Sequence, residues 1–170
     1  MNVAWHSTVD TPVGPFTSVV NADGVVLASG WTGAPDPLVA GIAPALRPDE
    51  LRGSAELGAV TSAVLAFHEG DLAAVDDIEV HQLGGEFIQQ ARKMLRAVPS
   101  GSTVTYAELA ELAGRPAAVR AAATACARNA AALFVPCHRV VRTDGGVGGF
   151  RWGVDVKRWL LAHEATAADR

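Results

Sequence analysis

The sequence predicts a mixed α+β fold in two modules, a small antiparallel sheet backed by a helix and a mainly helical second part. Three short apolar segments separated by turn residues, all within the first 31 residues, indicate the sheet. Helical spacing of apolar residues dominates after residue 84. The charge divides at the same place, because residues 1–83 hold two basic and eleven acidic side chains, whereas residues 84–170 hold twelve and seven. We therefore expect domains at 1–83 and 84–170, with the basic one facing any polyanionic partner.

The composition is that of an ordinary globular protein of 170 residues, with a net charge of −4. No apolar stretch has the length of a bilayer span, and the N-terminus has no pattern of a secretory signal, so we expect no membrane association. Two cysteines, Cys126 and Cys137, are too few for a disulfide framework and favour a reducing cytoplasm, although a bridge between them stays open. His6, His68 and His81 lie far from any cysteine in sequence, which gives a metal site little support.

The first module should contain three β-strands before a long loop. The turn at Asn21–Gly24 is tight enough for an antiparallel hairpin. A helix from Glu56 to Glu69 follows from apolar residues at helical spacing. The remaining expectations are strands at 4–9, 16–21, 25–31 and 78–83, and mostly loop at 32–53.

The second module should consist of short helices joined by glycine turns. Thr105 and Glu108 form a capping-box pattern that starts a helix running to Gly114. With the helix after it, this segment is a helix-turn-helix candidate, although helical hairpins are common without DNA. The other predicted elements are helices at 87–98, 117–128 and 155–163, a buried strand at 130–135 and a frayed tail beyond Glu164.

The helix at 117–128 is composed almost entirely of small residues, with Arg120 near its start. One interpretation is simply an alanine-rich helix, since alanine is the best helix former. The other is a helix whose backbone can approach a narrow surface, such as the DNA minor groove, with Arg120 as a single long probe.

The stretch from Pro136 to Val140 places a cysteine directly before a histidine and an arginine. A thiol is a nucleophile only as thiolate, and cationic neighbours lower its pKa. The alternative is that Cys137 is a buried filler. A glycine-rich loop at 147–153 carries Phe150 and Trp152, which could stack on a flat ligand.

These motifs together resemble the C-terminal domain of the O6-alkylguanine-DNA alkyltransferases, the methylated-DNA–protein-cysteine methyltransferases. The resemblance is strong over residues 84–164, above all to the alkyltransferase half of bacterial adaptive-response proteins, and weaker over 1–83. Its carriers are Tyr106, Arg120, Asn129, the box 136–140 and the ending 160–164. One departure is Arg92, which stands where the family usually carries tryptophan.

The resemblance implies a ribonuclease-H-like N-terminal domain and a winged-helix-like C-terminal domain. It also implies irreversible, single-turnover transfer of an alkyl group from guanine O6, and with it O4-methylthymine as a further substrate, to Cys137. His138 and Glu164 would deprotonate the thiol through a water, Asn129 would hold the active-site turn, and Tyr106 would protonate the leaving guanine.

The implied partner is double-stranded DNA containing O6-alkylguanine, bound through the minor groove by a monomer that needs no cofactor or metal. Arg120 would fill the gap left by the flipped base. Around it, the resemblance assigns DNA contacts to Tyr106, Ala121, Thr124 and Arg128. The flipped guanine would lie against Val140, Phe150, Arg151 and Trp152, read by the carbonyls of Cys137 and Val140 and the Arg151 amide.

Two other functional classes stay open at this point. A non-enzymatic alkyltransferase-like DNA binder or alkylation-responsive regulator could use the same helix-turn-helix, but such binders lack the cysteine that stands here at Cys137. A cysteine hydrolase would need a histidine ring within hydrogen-bond reach of the sulfur, for which the adjacent His138 is poorly placed.

Overall fold

A computed structural model describes residues 1–168 of the chain. The fold is mixed α+β, as predicted, and divides into two compact units. The first consists of Met1–Leu83 and Ala130–Phe134, and the second of Gly84–Asn129 and the chain from Val135 onward.

The first unit is built on a four-stranded sheet with strand order β3-β2-β1-β4. The strands β1 (Val3–Thr11), β2 (Gly14–Val20) and β3 (Val26–Gly30) are antiparallel neighbours, which confirms the predicted strands and hairpin. The strand β4 (Glu50–Gly53) pairs parallel with β1, in a region predicted to be mostly loop. That region also contains the helix α1 (Asp36–Ala40). The loop prediction was therefore wrong in part.

The core of this unit forms where the sheet meets helix α2 (Ala59–His68). Val60, Val64 and Phe67 of the helix are buried, at the helical spacing that predicted it. On the sheet, Phe16 packs edge-on against Trp31 with ring centroids 4.9 Å apart. Burial of this apolar surface is the main stabilising term for the unit.

Two predicted strands are single bridges in the structure. The segment at 78–83 contributes only a bridge between Val26 and Val80, so the strand expected there is wrong. The run at 130–135 is buried as expected, but it bridges to the sheet only between Ser29 and Ala131. Leu133 within it has a φ of 79°, a left-handed backbone that interrupts any regular strand.

Within its described residues, the second unit contains four α-helices and a two-stranded parallel sheet. Its helices are α3 (Glu86–Ala97), α4 (Tyr106–Leu112), α5 (Val119–Ala127) and α6 (Val154–Ala168). Strand β5 (Val104–Thr105) pairs with β6 (Val140–Val141). The last helix continues to Ala168, so the frayed tail expected beyond Glu164 is wrong over the described residues. No helix in residues 1–168 is both long enough and apolar enough to cross a bilayer.

Helix α4 begins with the capping box that the sequence predicted. The Thr105 side chain accepts from the Glu108 amide at 3.1 Å, and the Glu108 carboxylate accepts from the Thr105 amide at 3.0 Å. We expect Thr105→Ala to lower the free energy of unfolding by about 1 kcal/mol, measured by urea titration. Thr103→Ala, at an exposed position outside the helix, is the control. Equal losses in both variants would contradict this role of the cap.

Candidate active site

Cys137 begins a single 3₁₀ turn, Cys137–Arg139, directly after Pro136. Its side chain is half-buried, whereas the two residues after it are buried. The Asn129 amide group donates to the Val135 carbonyl at 2.8 Å, and it also hydrogen-bonds the Cys137 thiol. The Cys137 amide donates to the same carbonyl at 2.8 Å. The Asn129 side chain and the Cys137 backbone amide therefore donate to the same Val135 carbonyl oxygen. These shared hydrogen bonds fix the position of the Cys137 sulfur.

The pKa of Cys137 is raised by burial, and the hydrogen bond from Asn129 and the charge of Lys157 only partly offset the rise. The sequence led us to expect the opposite direction, from the cations beside the thiol. Desolvation of the thiolate therefore outweighs those charges. Cys137 rests as a thiol at neutral pH, so a reaction at sulfur needs a base.

The base nearest in sequence is His138, which is fully buried beside Glu164. Its Nε2 lies 3.1 Å from Glu164 Oε2. Burial would raise the pKa of Glu164, but hydrogen bonds from His138 and Arg139 outweigh burial and bring it to about 2. Burial lowers the pKa of His138, against the opposing effect of Glu164. The pair is therefore a neutral imidazole and a carboxylate.

That charge state determines the tautomer of His138. Since the carboxylate can only accept, Nε2 carries the proton and donates it to Glu164. Nδ1 is then the unprotonated nitrogen. It is buried, and no hydrogen bond joins it to any group within residues 1–168. The ring thus presents a basic nitrogen held in one orientation.

Arg139 is turned toward Glu164 and does not serve as the thiol's counter-charge. Its Nε and Nη2 donate to Glu164 at 3.0 and 2.7 Å, and its Nη1 donates to the Val98 carbonyl at 2.8 Å. A buried, bidentate pair of an arginine and a carboxylate is a strong, directional contact. Arg139 therefore stabilises the carboxylate that orients His138.

Lys157 is a buried cation of this site that was not predicted from the sequence. It is 1% exposed, and its Nζ donates to the Val140 carbonyl at 2.7 Å and the Gly149 carbonyl at 3.3 Å. Burial lowers its pKa, and the two cysteines oppose that change. Lysine is rarely buried, so composition alone argued against it. The available signal was its helical spacing with Leu160 and Glu164, which are also buried.

Tyr106, at the first position of α4, lies at the same site. Its hydroxyl and the Lys157 ammonium both border Gly148, where a Cβ would meet them at 3.2 and 3.3 Å. Burial, with further contributions from the two cysteines, raises the pKa of Tyr106. The phenol is therefore protonated at neutral pH and available as a proton donor.

The glycine-rich loop leads from this site into α6. Phe150 and Trp152 are half-buried and Arg151 is exposed, with its guanidinium 4.7 Å from the Trp152 ring centre. Val140 is buried, and its carbonyl already accepts from Lys157. The Cys137 carbonyl accepts from the Val140 amide. Each carbonyl keeps a second lone pair for a ligand.

The residues predicted to contact DNA lie along α5 and its end. Arg120 and Arg128 are exposed, while Ala121 and Thr124 are half-buried. The Thr124 hydroxyl donates to the Arg120 carbonyl at 3.0 Å, which keeps this polar side chain against its own helix. The outer surface of α5 therefore carries mainly short side chains, with one long basic side chain near each end.

Across residues 1–168 no three histidine, cysteine, aspartate or glutamate side chains converge to hold an ion. The described groups around Cys137 are instead a thiol, an imidazole, a carboxylate, a phenol and cations. Such a set suits nucleophilic chemistry with proton transfer.

Comparison with known proteins places these features in context. Residues 86–166 match the family described as 6-O-methylguanine DNA methyltransferase, DNA binding domain. Over 87 residues, 51% of this chain, the sequence is 52% identical to the bifunctional transcriptional activator/DNA repair enzyme Ada of Escherichia coli, of which it covers 25%. The chain thus spans a quarter of the length of that relative.

Other matches extend over almost the whole chain. The fold is similar to the crystal structure of Mycobacterium tuberculosis OGT in complex with DNA, with a TM-score of 0.79 and 27% identity, over 96% of this chain and 94% of that one. The sequence is 32% identical to the methylated-DNA–protein-cysteine methyltransferase of Mycobacterium bovis over 166 residues, 96% of this chain and 93% of the relative. With similarity at that level over both units, this chain belongs to the methylated-DNA–protein-cysteine methyltransferase family.

Proposed function

We propose that this chain is a DNA repair protein that transfers the alkyl group of O6-alkylguanine, mainly methyl, from duplex DNA to Cys137. The transfer is irreversible, and each molecule acts once. O4-methylthymine is a further substrate of the same chemistry. The observation that carries the proposal is the geometry of His138, the residue that follows the thiol. Its Nε2 lies 3.1 Å from the Glu164 carboxylate, and its buried Nδ1 has no hydrogen-bond partner within residues 1–168.

The proton relay begins at the Cys137 thiol. A water between sulfur and His138 Nδ1 takes the thiol proton and passes one to the imidazole. The imidazolium that forms is stabilised by Glu164, whose carboxylate is kept ionised by Arg139. The ring rests neutral and gains a charge only during transfer, so the pair stabilises the transition state more than the ground state.

The alkyl transfer is a displacement at carbon. The thiolate sulfur attacks the methyl carbon, an S–C bond forms, and the bond from that carbon to guanine O6 breaks with its electron pair staying on the base. The Tyr106 phenol then gives the guanine a proton. The product is a thioether with no leaving group of comparable ability, so the thiol is not regenerated and turnover stops. Every step of this scheme uses groups of the chain, the DNA and water, so the scheme needs no cofactor.

DNA binding is assigned to α5 and the groups beside it. An O6 atom inside a duplex is out of reach of a buried thiol, so the nucleotide must leave the stack. The short side chains of α5 allow its backbone to approach the narrow minor groove. Arg120 is long and exposed enough to fill the gap that the flipped nucleotide leaves in the stack. Arg128 and the backbone near Ala121 and Thr124 would contact phosphates and groove, while Phe150 and Trp152 would flank the flipped base.

We assign the first unit to the ribonuclease-H-like class and the second to the winged-helix class, on the arrangement of the sheet and of α4 and α5. The protein would act as a monomer, because a single chain supplies every group in the reaction scheme. We assign it to the cytoplasm, where its two free cysteines would stay reduced.

The decisive experiment mixes the protein with a duplex carrying one O6-methylguanine and maps the mass of each peptide. We expect one methyl on the peptide containing Cys137 and unmodified guanine in the DNA, in a one-to-one ratio. The Cys137→Ser variant should bind the duplex without gaining mass, whereas Cys126→Ser, the matched control, should react.

Three outcomes would contradict the proposal. A methyl on another residue would displace Cys137 from its role. Repeated turnover at an ester or amide bond would indicate a hydrolase. Binding of the methylated duplex without transfer by the unmodified protein would indicate a DNA binder or regulator.

A further inference from the structure

Arg92 is a buried cation in the second unit to which the reaction scheme above gives no role. It lies on α3 and is 7% exposed. Burying a guanidinium carries a large desolvation cost unless hydrogen bonds or negative charge offset it. The neighbouring Lys93 is exposed, so the same helix does carry a positive charge in solvent at no such cost. The groups that Arg92 meets in the interior therefore define what it does.

The guanidinium is bound to the end of α5. Its Nη2 donates to the Arg128 carbonyl at 3.1 Å. Arg128 is the C-cap, the residue directly after α5. Carbonyls there have no partner within the helix and carry the negative end of its dipole, so a cation is well suited to bind them.

The residue after this carbonyl is Asn129, which holds the thiol. The Asn129 amide group bonds the Val135 carbonyl and the Cys137 sulfur, and its backbone amide donates to the Cys126 carbonyl at 3.2 Å. Only one peptide unit separates the oxygen that Arg92 binds from the residue that binds the sulfur. A shift of that peptide would move Asn129 relative to Cys137.

The charge of Arg92 acts on the same sulfur. Its field lowers the pKa of both cysteines, against the larger effect of burial. Burial brings the pKa of Cys126 to about 12, so Cys126, like Cys137, is a thiol at neutral pH. Among the described residues, the other titratable groups that interact with Cys137 include Cys126 from α5, Tyr106 from α4 and Lys157 from α6. His138 follows Cys137 in its own turn and contacts Glu164 of α6.

We propose that Arg92 is a positioning residue for alkyl transfer. It holds the Arg128 carbonyl so that Asn129 meets the sulfur, and it adds a buried positive charge to the surroundings of Cys137. The inference rests on the proposed function, since it assigns Arg92 to the reaction at that sulfur.

The test compares Arg92→Gln, which removes the charge but keeps a donor, with Arg92→Lys, which keeps the charge. Lys93→Gln is the matched control, the loss of one exposed charge on the same helix. Three quantities are measured for each: single-turnover methyl transfer, the pH dependence of Cys137 alkylation by iodoacetamide without DNA, and the Kd for unmodified duplex. Peptide mapping separates Cys137 from Cys126.

We expect Arg92→Gln to slow both reactions of Cys137 by about tenfold and to raise the midpoint of the iodoacetamide profile by about one pH unit, because one unit of thiol pKa is tenfold in thiolate. Arg92→Lys should restore the midpoint, Lys93→Gln should match the unmodified protein, and the duplex Kd should stay constant throughout.

An unchanged midpoint of the iodoacetamide profile in Arg92→Gln would overturn the proposal. An equal shift of the midpoint in Arg92→Gln and Arg92→Lys would overturn it too. Either result would mean that Arg92 contributes only to packing. If Arg92→Gln does not fold, Arg92→Trp, the residue that the family usually carries there, replaces it as the uncharged variant. A raised midpoint in Arg92→Trp would then support the proposal, and an unchanged midpoint would overturn it. The iodoacetamide reaction needs no DNA. Failure of methyl transfer by the unmodified protein would therefore refute the proposed function while the effect of Arg92 on the sulfur stays measurable.

Discussion

Replacing Glu164 with glutamine is expected to lower the free energy of unfolding by about 3 kcal/mol at neutral pH. The carboxylate is 1% exposed and has a pKa of about 2 instead of its ordinary 4.5. The neutral amide would leave the Arg139 guanidinium buried without its counter-charge. Urea unfolding measures the loss, and Glu111→Gln, the same change at an exposed position of α4, should cost almost nothing.

The loss should depend on pH in a defined direction. A carboxyl whose pKa is depressed by folding stabilises the protein fully above its unfolded pKa, near 4.5, and that contribution disappears as the pH falls toward about 2. The curves for Glu164→Gln and the unmodified protein should therefore converge below pH 4.5. A constant offset at every pH would contradict the ion-pair account.

The same substitution should slow methyl transfer by about a hundredfold, the scale of a lost acid–base partner. A glutamine cannot stabilise the imidazolium form of His138, and its amide group can also turn a donor toward Nε2. The measurement is single-turnover transfer at a temperature where the variant is folded. A rate within twofold of the unmodified protein would rule out the relay.

Gly148→Ala is expected to cause the second large loss, a fall of about tenfold or more in methyl transfer with little change in duplex Kd. Gly148 has a φ of +85°, which alanine adopts only with strain. The new Cβ would also press on the Tyr106 hydroxyl and the Lys157 ammonium. Lys157 is held by two carbonyls, so it can move only by giving up those bonds.

Gly145→Ala separates the two causes. Gly145 has nearly the same φ, +88°, but a Cβ there would meet nothing within 4 Å. Both variants should therefore lose a similar part of their stability to backbone strain, about 1–2 kcal/mol. Only Gly148→Ala should lose transfer rate as well. Equal rates of methyl transfer in Gly148→Ala and Gly145→Ala would contradict the proposed effect of the Cβ contact with Tyr106 and Lys157.

Local signals in the sequence predicted most elements of the fold. The capping box of Thr105 and Glu108 and the hairpin at Asn21 depend on residues only a few positions apart, and both are present in the structure. Strand β4 was missed because it is short and pairs in parallel with β1, a contact between distant segments. The strand expected at 78–83 has apolar residues but almost no pairing partner, which its own sequence cannot reveal.

The site was predictable in its residue types and less so in its electrostatics. The distance from His138 to Glu164 follows from the fold, whereas the family resemblance could only suggest that they meet. The direction of the Cys137 pKa shift was missed because burial depends on the whole surrounding structure. Lys157 was missed for the same reason, since sequence gives no measure of how deeply a lysine is buried.

The second unit is interrupted in sequence. Residues 130–134, which connect Asn129 to the thiol turn, fold with the first unit. There the Ser29 amide donates to the Ala130 carbonyl at 2.9 Å, and the Ser29 hydroxyl donates to the Ala132 carbonyl at 2.7 Å. A gene fusion made at the 83/84 boundary would carry residues 130–134 into another protein without Ser29, the residue of β3 that binds them. A protein made of residues 1–83 alone would likewise lack residues 130–134, and Ser29 would lose both of these hydrogen bonds.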